Sequence, residues 1–110
     1  MQSESFQFGQ ELPWQDLNNG LQRQLFGYDD KVMMLKIKFD TGAVGAMHQH
    51  PHSQVTYIES GVFDMTIDTV TRQLKAGDGY YVPPHALHGI TCLEAGMLVD
   101  VFSPHREDFL

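Results

Sequence analysis

Phe63, Met65 and Ile67 alternate with Asp64, Thr66 and Asp68, and the second half of the run 32–39 likewise alternates apolar with basic residues. A period of two gives a strand one apolar and one polar face, and a helix cannot segregate such a pattern. Turn signals cut the chain at short intervals, at Asn18-Asn19-Gly20, Asp29-Asp30, Asp40-Thr41-Gly42, Ser60-Gly61 and Ala76-Gly77-Asp78-Gly79. The pattern predicts strands over 22–28, 32–39, 43–50, 54–59, 62–68, 72–75, 80–83, 86–92 and 97–102, with Pro51 marking an interruption. About eight or nine short strands without a strong helix imply an all-β fold, a closed antiparallel barrel or jelly roll. One domain is expected over 1–110, with an irregular N-terminal arm (1–20), a barrel (21–103) and a C-terminal tail (104–110).

A chain of 110 residues that is 42% hydrophobic suits one core of ordinary size. Seven basic against fourteen acidic residues give a formal charge of −7, and no basic cluster occurs. Phosphate binding needs a contiguous cationic surface, so nucleic acid is excluded as a partner. Cys92 is the single cysteine, which rules out an intramolecular disulfide and suits a reducing compartment. MQSESFQFGQELP has neither a basic start nor an apolar core, and no apolar run reaches membrane-spanning length. A cytoplasmic protein without a membrane partner is expected.

The segment His48-Gln49-His50-Pro51-His52-Ser53-Gln54 packs three imidazoles and two amides into seven residues, and His88 follows later. Strand residues two apart share a face, so His48 and His50 can hold one transition-metal ion. The alternative is that they are solvated, as histidines in turn-rich acidic chains often are.

Two spaced motifs carry a resemblance to the cupin superfamily. Gly42, His48, His50, Gln54 and Gly61 match the first motif, with Gln54 where glutamate is usual. Gly77, Pro83 and His88 match the second, with His85 where glycine and Cys92 where asparagine are usual. The resemblance implies a single-domain cupin jelly roll whose strands present His48, His50, Gln54 and His88 to one divalent transition metal ion at the barrel mouth. Strand parity agrees: Ala46 and His50 share the face of His48, Thr56 and Ile58 that of Gln54, and Ile90 and Cys92 that of His88. Three histidines and a glutamine form a neutral set, so a divalent ion keeps its charge and favours an anionic chelating guest. Such a set lacks the carboxylate usual in non-haem iron oxygenases.

In Met97-Leu98-Val99-Asp100-Val101-Phe102, residues 98, 100 and 102 share a face. If that face lines the barrel, Asp100 sits in a low-dielectric cavity and is a candidate acid/base group; otherwise it faces solvent on an edge strand. The Arg106 fork suits a substrate carboxylate, or pairs with Glu107, Asp108 or another surface acid.

The ending 98–110, the turn Tyr28-Asp29-Asp30-Lys31 and the segment 48–54 resemble, more narrowly, the small pectin-degradation cupins of the KdgF type. That resemblance implies metal-dependent linearisation of 4,5-unsaturated uronates from pectin or alginate lyases. It places the metal on His48, His50, Gln54 and His88, catalysis on Asp100, and contact with a small sugar-acid substrate on Phe102 and Arg106. A cupin-type metal-dependent dioxygenase and a non-catalytic sugar-acid-binding cupin are the competing readings. Imidazole and amide donors leave nickel, zinc, iron, cobalt and manganese open. The arm bearing Phe6, Phe8 and Trp14 suggests a homodimer, while His52, His85, Gln24 and Tyr57 receive no role.

Overall fold

A computed structural model describes all residues, Met1–Leu110. Eight antiparallel strands follow one another: β1 (Gln15–Asn18), β2 (Leu21–Tyr28), β3 (Met33–Phe39), β4 (Val44–His48), β5 (Ser53–Ile67), β6 (Val70–Lys75), β7 (Gly79–Val82) and β8 (His88–Ser103). A 3-10 turn, Glu107–Phe109, closes the chain. The strand order is β1-β2-β3-β8-β5-β6, with β4 added to β8 and β7 added to β5.

β5 and β8 each serve both layers of the jelly roll. The first part of β5 pairs with β7 and with the end of β8, and its last part pairs with β6 and with the start of β8. The change-over is a set of register shifts between Ile58 and Phe63. It corrects the expectation of a hairpin turn at Ser60-Gly61. Gly61 instead has φ +88°, and a Cβ there would lie 2.7 Å from the Glu94 carbonyl oxygen. A Cβ on Gly96 would collide with the Ser60 carbonyl. The two glycines let the strands cross closely, and the bulge resets side-chain parity so that Ile58 and Phe63 both point inward.

Three other expectations change. The runs 86–92 and 97–102 are one bent strand, β8, because the 93–96 segment stays in the ladder. The first strand after Asp40-Thr41-Gly42 ends at His48, leaving His50 in the connection that Pro51 breaks. Part of the N-terminal arm is strand β1, and the rest is strapped to β2. There the Gln24 side-chain amide donates to the carbonyls of Gly9 (2.7 Å) and Leu12 (3.1 Å), and the Tyr28 N–H donates to Ser3 Oγ at 2.9 Å.

The main core joins Phe39, Ala43, Ile58, Phe63, Cys92 and Leu98, with Phe39 and Phe63 edge-to-face at 5.2 Å. A second cluster, Met33, Leu35 and Phe102, lies toward the mouth. Outside, Met34, Val101, Val55 and Tyr81 are cross-strand neighbours on β3, β8, β5 and β7, forming a partly exposed apolar row. No helix is long and apolar enough to cross a membrane.

Phe63→Ala is expected to lower unfolding free energy by about 3–5 kcal/mol through the cavity it leaves. Gly61→Ala should cost at least about 1–3 kcal/mol from backbone strain alone. Urea titration followed by circular dichroism checks both, with exposed Val70→Ala as the control that should scarcely move.

Candidate functional site

His48 and His88 are cross-strand partners where β4 meets the start of β8, and their ring centroids are 4.3 Å apart. His50 lies 4.8 Å from His88 by the same measure. One potential ligand nitrogen from each of the three rings lies within 4.8 Å of the others. His50 and His88 are buried, while His48 is exposed at the rim.

The backbone decides which nitrogen each ring offers. The Nδ1 atoms of His48 and His88 lie 2.8 Å from the carbonyls of Ala46 and Ala86, and that of His50 lies 3.2 Å from the carbonyl of His52. A carbonyl can only accept, so Nδ1 carries the proton and Nε2 presents a lone pair. His88 Nε2 is buried without any partner. His50 Nε2 faces Gln54 Oε1 at 3.1 Å, a second acceptor. Protonating His50 would reconcile the pair, but burial lowers its pKa, as it does that of His88. Converging lone pairs in a neutral donor set are what a divalent cation requires, so these residues fit a metal ion.

Gln54 is held with its oxygen toward the histidines because its amide nitrogen donates to Thr56 Oγ1 (3.1 Å) and Asp100 Oδ1 (3.4 Å). Thr56 donates in turn to Asp100 Oδ1 at 2.6 Å. Asp100 is buried and faces Thr56 across the β5–β8 ladder. The solvent-facing alternative for this carboxylate is therefore not what the fold adopts. Burial pushes its pKa up to about 6, against the hydrogen bonds from Thr56 and Gln54 and the charge of Arg106. A cation at the histidines would pull it back down. Both hydrogen bonds fall on Oδ1, leaving Oδ2 without a protein donor.

A cavity of about 220 Å³ adjoins this cluster, with His48, Gln54, His88, Asp100, Phe102 and Arg106 in its wall. Phe102 packs its ring 5.6 Å from that of His50 and 6.0 Å from that of Phe109. Arg106 is clasped by Asp108: its Nε donates to Oδ1 at 3.0 Å and its terminal nitrogen to Oδ2 at 2.8 Å. The fold thus brings together all seven residues expected at the site, with the Arg106 fork already holding the tail's own carboxylate.

Thr56 and Tyr80 also belong to the site. Thr56 was visible as an inward residue two positions after Gln54, but its role needs Asp100 and Tyr80 as its neighbours on either side. Tyr80 lines the cavity, and burial together with Asp100 raises its phenol pKa, so it remains a neutral donor. Gln24 and Tyr57 do not face the cavity; the first holds the arm and the second is exposed. The His85 N–H donates to the His50 carbonyl at 2.8 Å, pinning the Pro83-Pro84 turn against the ligand loop. His52 rests its ring 5.4 Å from that of His50 and 6.3 Å from that of Phe102.

The "Cupin domain" family matches residues 35–102. The pectin degradation protein KdgF of Dickeya dadantii (strain 3937) is 40% identical over 102 residues, which cover 91% of this chain and 93% of that protein. Among solved structures, an RmlC-like cupin from Shewanella frigidimarina NCIMB 400 is 48% identical, with TM-score 0.98 over 99% of this chain and 98% of that one. KdgF from Halomonas sp. is 38% identical, with TM-score 0.94 over 98% of this chain and 100% of that one.

The donor geometry predicts that His88→Ala loses bound metal, measured by elemental analysis after dialysis. Thr56→Val leaves the four donors in place but frees the Gln54 amide, and should weaken metal affinity about 10–100-fold in a competition titration with a chelating dye.

Proposed function

The chain belongs to the cupin domain family, and we propose that within it this protein is a metal-dependent isomerase-type enzyme that linearises 4,5-unsaturated uronate monosaccharides. The observation that carries the reading is Asp100, a buried carboxylate with one oxygen anchored and the other unclaimed, in the wall of a cavity beside three converging histidines. The names of the two KdgF relatives support the pectin-degradation setting.

Ring opening needs few groups. In the cyclic substrate C1 is a hemiacetal and the ring oxygen is bonded to C5 of the C4=C5 double bond. Loss of the C1 hydroxyl proton forms the C1 carbonyl as the bond from C1 to the ring oxygen breaks, and the electron pair leaves on the enolate. Protonation at C4 then gives the 5-keto acid. The proton lost at O1 equals the proton gained at C4, so one shuttle suffices, and Asp100 is that shuttle. Thr56 and the Gln54 amide hold Oδ1, which aims Oδ2 and keeps the carboxylate from rotating. Tyr80 adds a neutral donor to the same wall. Phe102 shapes the wall and excludes water, and Arg106 takes the substrate carboxylate by exchange with Asp108. A divalent ion held by His48, His50, Gln54 and His88 would supply Lewis-acid stabilisation of the negative charge developing on substrate oxygen.

The enzyme is proposed to act in the cytoplasm as a homodimer. The lone, buried Cys92 suits the reducing compartment. The apolar row of Met34, Val101, Val55 and Tyr81 supports the dimer, because a second copy would remove it from water.

The decisive assay follows unsaturated galacturonate by NMR, with metal-replete and chelator-treated protein. Conversion to the linear keto form should be accelerated only by the first; oxygen uptake would indicate a dioxygenase, and saturable binding without product a binding module. Asp100→Asn should retain metal and lose turnover by about 10²–10⁴-fold. Val55→Glu, in the centre of the outer row, should shift the protein to monomer by light scattering.

A further inference from the structure

Arg23 stands on the inner face of β2, between Leu21 and Leu25, opposite Ile37 of β3. Leu21, Leu35, Ile37 and Phe39 form this wall of the cavity, and Arg23 is the one charged residue among them. An arginine placed in an apolar wall loses hydration, and the usual remedy is a carboxylate partner. The chain contains fourteen acidic residues, yet none lies within ion-pair distance of Arg23.

What Arg23 does touch orients it without neutralising it. One terminal nitrogen donates to Gln15 Oε1 at 2.8 Å, and the guanidinium carbon lies 4.0 Å from the centre of the Phe109 ring. Arg106 contacts the same ring at 4.3 Å, so two guanidinium groups share one aromatic plate at the cavity wall. They differ in one respect: Arg106 forms a direct ion pair with Asp108, whereas the charge of Asp108 reaches Arg23 only from beyond ion-pair distance.

We propose that Arg23 is a specificity-determining residue that binds the uronate carboxylate jointly with Arg106 in this cavity and thereby strengthens the selection of acidic over neutral sugars. Gln15 and Phe109 hold the fork in place beforehand, so little side-chain freedom is lost when the anion arrives. Arg23 offers donors that no carboxylate engages, whereas Arg106 becomes available only as Asp108 is displaced. The assignment rests on the uronate reading above for its substrate class, but concerns recognition rather than the reaction.

The test is calorimetric binding of galacturonate and of galactose to the full-length, metal-containing protein, with metal content and melting temperature recorded for every variant. Wild type should prefer galacturonate at least about tenfold. Arg23→Met should lose most of that preference while its weak affinity for galactose is unchanged, and Arg23→Lys should recover part of it. In the linearisation assay, Arg23→Met should raise KM about tenfold or more with kcat little altered, the signature of lost ground-state binding. Should Arg23→Met fail to fold, Arg23→Gln, which keeps a donor toward Gln15, replaces it under the same criteria. The proposal is overturned if wild type shows no preference for galacturonate, if the uncharged variant keeps most of it, or if both sugars lose affinity equally. Selective binding through Arg23 without turnover would remove the reaction and leave the anion site standing; turnover with unchanged selectivity in the variant would do the reverse.

Discussion

The pairing of β5 with β8 is the constraint from which the site takes its geometry. Gln54 and Thr56 come from the first strand, and His88, Asp100 and Phe102 from the second. The ladder sets Thr56 opposite Asp100 and Gln54 opposite Phe102. A slip of one residue in β8 would turn Asp100 out to solvent and bring Val99 or Val101 inside, and one in β5 would turn out Gln54 and Thr56. What forbids the slip is burial of Ile58, Phe63, Cys92 and Leu98 on the same inward faces. The precision of the polar cluster is therefore borrowed from the apolar core.

Placing polar groups inside so small a barrel is costly unless each finds a partner. Most of the buried ones do so within the chain: Gln24 holds the arm, and Gln54, Thr56 and Asp100 form a continuous hydrogen-bonded path. The exceptions are informative. His52 Nδ1 and His88 Nε2 have no partner, and Gln54 Oε1 meets His50 across a gap that suits a cation better than a proton. Unsatisfied groups that converge in one place describe a ligand by its complement.

Charge is distributed to the same end. The protein is strongly acidic, so a distant anion gains nothing from its overall field. Attraction must be local, and the cavity supplies it through Arg23, Arg106 and a neutral set of metal donors. Phe109 joins the two arginines to the C-terminal turn, so the tail, short as it is, belongs to the cavity wall. Asp108, exposed and beside Arg106, keeps one of the two cations neutralised in the free protein.

The alternation of Phe63, Met65 and Ile67, the short turn spacing and the run from His48 to Gln54 made an all-β barrel and a histidine cluster legible in the sequence, because a period of two and a ligand spacing are local properties. The same local logic misread Ser60-Gly61, whose composition is that of a hairpin turn. Only the approach of Gly96 from β8 makes it a bulge inside one long strand. Parity puts Arg23 on one strand face with Leu21 and Leu25, but that this face lines a cavity is decided only when the other wall is in place. Likewise Thr56 became an anchor for Asp100 only through long-range pairing. The sequence by itself determined which side chains share a strand face; the tertiary structure decided which faces meet, and with them which buried groups are satisfied by the chain and which await a ligand.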